Sequence, residues 1–149
     1  SLKRDRDFAM QAVNQDPLSL LYIDDSLASD REIVFAAVAQ NGNALQYAGE
    51  SLQADREIVE TAVAFEGKTL RYASEALRND RDLVKLAVAQ NGHALKHAAT
   101  GLKADRDIVL AAVRQNGDAI MHAGEALRAD GEIRSVAMKT RDAAIRSEL

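Results

Sequence analysis

The segment Asp30-Arg31-Glu32-Ile33-Val34 returns almost unchanged at residues 55–59, 80–84 and 105–109. Its first aspartate recurs every 25 residues as far as Asp130. A fixed period of about 20–50 residues is typical of stacked repeat proteins, in which a single unit cannot bury its apolar side alone. The sequence therefore predicts one helical-repeat domain over residues 1–149, with repeats at residues 5–29, 30–54, 55–79, 80–104 and 105–129.

Each repeat is predicted to contain two short helices. The first helix begins after Asp30, whose carboxylate can accept the free backbone N–H groups of the first turn. Asn41-Gly42 ends it, because glycine tolerates the left-handed conformation in which many helices finish. The residues on one face of the predicted second helix are Leu45, Ala48, Gly49 and Leu52.

An Asn-Gly pair can instead form the two-residue turn of a β-hairpin. The flanking apolar residues follow a helical period and do not alternate, so the helical interpretation is favoured. We then expect Gly92→Val to destabilise the protein by more than about 1 kcal/mol, because β-branched residues are poorly tolerated at positive φ.

The predicted fold is all-α, an α-solenoid of antiparallel helical hairpins with about 25 residues per repeat. Five repeats are followed by a degenerate capping helix at residues 130–149, because Asp142 stands where a glycine would end the helix. Residues 1–4 align with residues 51–54 and are interpreted as the tail of a preceding repeat. We therefore expect the chain to be a piece of a longer protein.

Composition excludes several classes of function. The net charge of −4 argues against the basic surface that nucleic-acid-binding proteins usually carry. The absence of cysteine excludes disulfides and thiolate chemistry. No apolar run of about 18 residues and no signal-peptide pattern occurs, so we expect no membrane span and favour a cytoplasmic location.

The repeat pattern also resembles a known family. From Asp30 onward it reads Asp-Arg-Glu-Ile-Val-x-x-Ala-Val-x-Gln-Asn-Gly-x-Ala-Leu-x-Tyr-Ala, which is similar to a tandem helical-repeat family catalogued as a domain of unknown function. The resemblance covers nearly the whole chain and departs at both ends, at Phe65, where Gln is usual, and at His97 and His122, where Tyr is usual. Members are mostly large bacterial and protist proteins, including secreted bacterial effectors, so translocation stays an alternative to the cytoplasm. The resemblance implies the fold and no catalytic residues.

One column of variable residues on the first helices is a candidate partner-binding surface. We expect it to face outward, and exposed apolar residues at a variable position favour contact with a partner. The alternative is packing against an absent neighbour, or a bent helix. The column consists of Met10, Phe35, Glu60, Lys85 and Leu110.

A second candidate is a metal site. His93 and His97 are four residues apart on one predicted helix, and Asp118 and His122 occupy the same positions in the next repeat. Stacked repeats would bring these four side chains into a square, and imidazole and carboxylate groups suit a transition metal. The alternative is that the histidines replace the tyrosines of the same column.

Charged and polar columns have structural explanations. The recurring arginine, represented by Arg31, lies between acidic residues and predicts ion pairs between successive repeats. The recurring glutamine, represented by Gln40, predicts amide hydrogen bonds between repeats. Basic residues on the second helices favour a solvated, ion-paired face, with Glu75–Arg78 and Glu125–Arg128 as pairs. The alternative for these residues is a basic ridge that binds acidic partners.

Three functions remain. The leading hypothesis is a non-catalytic, monomeric scaffold that binds a protein or peptide. The second is a nucleic-acid binder in which each repeat reads a base, which the acidic composition makes unlikely. The third is an enzyme, but no Ser/His/Asp arrangement, Gly-rich phosphate loop or paired buried carboxylates can be recognised. We therefore expect no catalysis and no cofactor.

Overall fold

The computed structural model describes residues 2–149, with side-chain surroundings from residue 4 onward. Within this range all regular elements are helices, and none has the length and apolar composition needed to cross a membrane. In chain order the α-helices (α) and 3-10 helices (η) are α1 (Leu2–Gln15), η1 (Pro17–Tyr22), α2 (Asp25–Ala28), α3 (Arg31–Gln40), η2 (Gly42–Tyr47), α4 (Glu50–Gln53), α5 (Arg56–Phe65), η3 (Gly67–Tyr72), α6 (Glu75–Arg78), α7 (Arg81–Gln90), η4 (Gly92–His97), α8 (Thr100–Lys103), α9 (Arg106–Gln115), η5 (Gly117–His122), α10 (Glu125–Arg128) and α11 (Gly131–Ser147).

The repeats stack in sequence order around one continuous core. Each long α-helix packs against the long α-helix of the next repeat, and each 3-10 helix packs against the next 3-10 helix. The largest fully buried side chains lie between these two rows and recur at equivalent positions, as in Ile33, Ile58, Leu83, Ile108 and Ile133, and in Leu20, Leu45, Leu70 and Leu95. The all-α solenoid of about 25-residue repeats is therefore confirmed.

The predicted N-caps are also present. The Asp30 carboxylate accepts hydrogen bonds from the backbone N–H groups of Glu32 and Ile33, at 3.1 and 3.3 Å. These bonds satisfy donors that the first turn of α3 leaves free. Asp55, Asp80, Asp105 and Asp130 cap the following long helices in the same way.

The prediction of one continuous second helix was wrong. Residues 42–53 form a 3-10 helix and a one-turn α-helix, separated by Ala48 and Gly49 in extended conformation. The Gly49 N–H donates to the Ala28 carbonyl of the preceding repeat at 2.9 Å and so does not continue a helix of its own. Equivalent bonds link Ser74 to Gln53, Ala99 to Arg78 and Gly124 to Lys103.

The prediction of left-handed glycines was also wrong. No residue in the described range, glycine included, has a positive φ. Gly92 instead begins η4, directly after the extended Asn91, and a Cβ atom placed on it would lie 2.5 Å from the carbonyl oxygen of Ala112 in the next repeat. The glycine is therefore required by a close approach between backbones of successive repeats.

Ion pairs connect the N-termini of successive long helices, as predicted. Arg31 lies 2.9 Å from Asp55 and 2.5 Å from Glu57. These residues form the arginine ladder, whose other pairs with the N-cap aspartates are Arg6–Asp30, Arg56–Asp80, Arg81–Asp105 and Arg106–Asp130. The N-cap aspartates therefore stabilise both a helix end and the contact between repeats.

Three members of the glutamine column also bond the preceding repeat, as predicted. Gln115 Oε1 accepts from the Gly92 N–H at 2.6 Å, and Gln90 Oε1 accepts from the Gly67 N–H at 2.5 Å. Gln40 Nε2 donates to the Val13 carbonyl at 3.2 Å.

The arginine ladder makes stability depend on pH. The hydrogen bond from Arg56 holds the pKa of Asp80 below its ordinary value. The stabilisation is therefore present above the unfolded-state pKa of about 4 and is lost as pH falls through the folded pKa. We expect Asp80→Asn, which keeps a good N-cap, to lose about 0.2–1 kcal/mol at neutral pH and less at about pH 3. Urea unfolding at both pH values measures this.

The control for this prediction is Asp82→Asn. Asp82 lies in the first turn of the same helix and forms no ion pair within the part of the chain that the structure describes. Its substitution should cost less than that of Asp80 at neutral pH. Equal losses for Asp80→Asn at both pH values would contradict the proposed role of the ion pair.

The two ends depart from the internal repeats. Residues 1–4 were expected to be the tail of a preceding repeat, and of these Ser1 lies outside the described residues. Residues 2–4 form the first turn of α1, so Asp5 lies inside this helix and does not cap it. At the other end α11 runs without interruption from Gly131 to Ser147, as the absence of a glycine near Asp142 predicted.

Candidate functional site

The predicted partner-binding column is not an exposed strip. Met10, Phe35, Glu60 and Lys85 are half-buried, and Leu110 is only 8% exposed and belongs to the core. The expectation that the column faces outward was wrong, because these positions lie at the edge of the contact between neighbouring long helices.

Two members of that column have contacts within the chain. The Arg31 guanidinium lies 5.9 Å from the centre of the Phe35 ring. Glu60 accepts from Arg56 at 2.8 Å. Leu110 is buried, so a charge placed there would destabilise the fold, whether or not a partner binds at this column.

The predicted square of His93, His97, Asp118 and His122 does not form. His93 Nδ1 lies 3.2 Å from His122 Nε2, but Asp118 pairs with Arg141 at 3.1 Å. Among the described residues no group of three or more His, Asp or Glu side chains is placed to hold a metal ion. The predicted square loses its carboxylate because Asp118 turns toward Arg141 on α11.

The solvent-facing side of the 3-10 helices forms a continuous surface, here called the 3-10 ridge. Within each 3-10 helix the third and fourth residues point toward the core, and the second, fifth and sixth residues are exposed or half-buried. From the first repeat to the last, the ridge residues are Leu18, Leu21 and Tyr22; Asn43, Gln46 and Tyr47; Lys68, Arg71 and Tyr72; His93, Lys96 and His97; and Asp118, Met121 and His122.

The chemical character of the ridge changes along the array. At the first repeat it is apolar, with Leu21 51% and Tyr22 85% exposed. The second repeat contributes neutral polar residues, and the third and fourth repeats contribute basic residues and histidines. This gradient was not predicted from the sequence, because these residues were assigned to a regular α-helix with a different exposed face.

A shallow cleft of about 400 Å³ lies where the ridge is most basic. We call its polar lining, together with the neighbouring Lys103, the basic cluster. Its members are Lys68, Arg71, His93, Lys96, His97, Lys103 and His122. Met121 adds an apolar edge to the cleft and is 65% exposed.

Burial and positive charge act together on the imidazoles. Burial, together with the nearby groups Lys96, Arg71, His122 and Lys103, lowers the pKa of His97 to about 4, and burial is the largest cause. Burial also lowers the pKa of His122, with contributions from His93, Lys96 and Lys103. Both imidazoles are therefore neutral at pH 7 because a proton on either would be poorly solvated and close to other positive charges.

The cations of the basic cluster are not neutralised by carboxylates. Every arginine of the ladder has an acidic partner, whereas none of Lys68, Arg71, Lys96 and Lys103 has one within 4.0 Å in residues 4–149. Arg71 instead donates to the Tyr72 hydroxyl and stacks over that ring, with 4.5 Å between the guanidinium carbon and the ring centre.

The predicted ion pairs on the second helices do not form. Neither Glu75–Arg78 nor Glu125–Arg128 is an ion pair in the described part of the chain. Each pair lies within a four-residue helix, so the side chains do not have the extended helical surface on which the prediction rested.

Comparison with known proteins supports the repeat assignment. A family model described as Domain of unknown function (DUF4116) matches three times, at residues 5–53, 55–103 and 90–128. The first two matches each cover about two of the 25-residue repeats. Neither the curated proteins nor the solved structures gave a match. Since the family model covers most of the chain, and the stacked helical repeats agree with its tandem matches, this chain belongs to the DUF4116 family.

Proposed function

We propose that this array is a non-catalytic scaffold that binds an extended segment of a partner protein along the 3-10 ridge. The observation that carries the proposal is a contrast between two sets of positions. Core positions of the repeats keep the same residue type, whereas the ridge positions differ from repeat to repeat. Stacked repeats use a regular core to present such variable surfaces to partners.

The ridge has features that suit a protein segment. Its exposed apolar end at Leu18, Leu21 and Tyr22 can bury side chains of a partner. Its basic part, at the third and fourth repeats, can attract acidic groups, which gives the complex a defined direction. A segment that crosses several repeats would contact the apolar end and the basic part together.

A nucleic acid is a less favoured ligand. The net charge of the protein is −4, and the arginines of the ladder are all paired with carboxylates. The positive charge of the basic cluster is therefore local and does not extend along the array. Nucleic-acid-binding surfaces instead carry positive charge along the path of the phosphates.

Site-specific photo-crosslinking tests the proposed surface. A photoreactive phenylalanine analogue is placed at Leu21 or Met121 on the ridge, or at Arg114, which is exposed on α9. In cells that naturally produce the protein, both ridge positions should crosslink to the same discrete protein. The Arg114 position serves as the control and should not. Crosslinks from Arg114 alone, or none from either ridge position, would contradict the proposal.

A further inference from the structure

We propose that the basic cluster binds a phosphate-type dianion carried by the protein partner. The cluster lies on η3, η4 and η5, with Lys103 from α8 beside it. This inference names the chemistry of the partner at the 3-10 ridge and therefore rests on the proposed function.

The charge balance of the site favours an anion over a metal ion. Lys68, Arg71 and Lys96 line one cleft without a carboxylate partner in the described residues. Asp118, the acidic residue of η5, pairs with Arg141 and does not pair with these cations. Three fixed positive charges around three imidazoles repel a divalent cation, whereas an anion in the cleft would reduce their mutual repulsion.

The number and kind of donors favour a phosphate group over a single carboxylate. The Arg71 guanidinium offers a planar set of N–H donors, and Lys68 and Lys96 each offer an ammonium group. A phosphate ester presents three acceptor oxygens and up to two negative charges, so it can satisfy several donors that line one cleft. A carboxylate has two oxygens and one charge.

The histidines add donors that respond to the ligand. His93 and His122 share a hydrogen bond at 3.2 Å, so one of the two facing nitrogens must accept and carry no proton. A dianion in the cleft would favour protonation of His97 and His122, because it offsets the positive charge around them. Binding would therefore be accompanied by proton uptake.

Titration with inorganic phosphate tests the site directly, with ionic strength held constant by sodium chloride. The histidine ring signals in NMR spectra are the readout, and we expect saturable shifts of His93, His97 and His122. Arg71→Gln and Lys96→Gln should each weaken binding about tenfold, the usual effect of losing one charged hydrogen bond. Lys139→Gln, which removes an exposed charge on α11, should leave binding unchanged.

Arg71 and Lys96 are both exposed, so we expect their variants to remain folded. Thermal unfolding of each variant checks this. Absence of saturable shifts, or equal weakening by Lys139→Gln, would overturn the proposal.

A pH series with sulfate tests the role of the imidazoles, because sulfate stays dianionic where phosphate titrates. The charged and titratable groups facing His97 are Arg71 and Lys68 on η3, Lys96 and His93 on η4, His122 on η5 and Lys103 on α8. Lysine and arginine keep their charge between about pH 7 and about pH 5. Sulfate affinity should rise several-fold across this range, since binding favours the protonated rings.

The matched variant for this series is His97→Gln, which should flatten the dependence of sulfate affinity on pH. A wild-type affinity that is constant or falls toward acid would overturn proton-linked binding at this cluster.

The source of the anion is tested by competition. A peptide with one phosphoserine should displace inorganic phosphate, whereas the unphosphorylated peptide should not. Binding of inorganic phosphate without binding of the phosphopeptide would overturn the assignment to a protein partner, as would tighter binding of a single-stranded oligonucleotide.

The two proposals can fail separately. Intact phosphopeptide binding with no ridge crosslinks would contradict the scaffold function. If the wild-type protein does not bind phosphate and the ridge crosslinks persist in Arg71→Gln, the anion site is contradicted and the scaffold function is not.

Discussion

Gly92→Ala is expected to lower the free energy of unfolding by about 2–3 kcal/mol, near the upper end of the usual range for overpacking. The added Cβ would lie 2.5 Å from the Ala112 carbonyl oxygen, which belongs to a long helix and cannot rotate away. Relief would require the two repeats to separate, and that movement would also stretch the 2.6 Å bond between the Gly92 N–H and Gln115. Gly92→Val should cost more because it adds two further methyl groups.

Gly101→Ala is the matched control, because a Cβ at Gly101 has no neighbouring atom within 4 Å. Gly101 is exposed in α8, where alanine favours the helix, so the change should be neutral or stabilising by up to about 1 kcal/mol. Urea unfolding of both variants gives the comparison. Similar stabilities for the two would show that the backbones of successive repeats do not meet at Gly92.

Leu95→Ala is expected to cost about 2–5 kcal/mol, the range for truncating a large buried side chain. Leu95 is fully buried on η4, which packs against α7, α9 and both neighbouring 3-10 helices. The cavity would therefore weaken the contacts of one repeat with both of its neighbours. In a stacked array such contacts between neighbours supply much of the stability.

Leu86→Ala removes the same atoms from a side chain that is 44% exposed, so it should cost much less than Leu95→Ala. Chemical unfolding followed by circular dichroism measures both losses. Comparable losses would mean that the row of 3-10 helices does not enclose the core as described.

Local signals in the sequence were sufficient for the repeat length and for the starts of the long helices. An N-cap such as Asp30 bonds to backbone groups within three residues, so it can be recognised from the neighbouring sequence alone. The arginine ladder could also be predicted, because a fixed repeat places Arg31 next to the cap of the following helix.

The second half of each repeat could not be predicted in the same way. Its apolar spacing is compatible with an α-helix, and the break at Gly49 arises from a hydrogen bond to Ala28 in another repeat. The candidate metal square depended on the same assumption of an α-helix. Once the segment is a 3-10 helix, His93 meets His122, while Asp118 turns toward Arg141.

The amino-acid sequence alone therefore determined the number of repeats, the helical class and the need for stacking. The reason is that a 25-residue repeat with a recurring apolar pattern can bury its apolar side chains only against the neighbouring repeats. The tertiary structure alone decided which residues form the 3-10 ridge and which cations remain without acidic partners. These properties depend on hydrogen bonds and distances between repeats, which no single repeat specifies by itself.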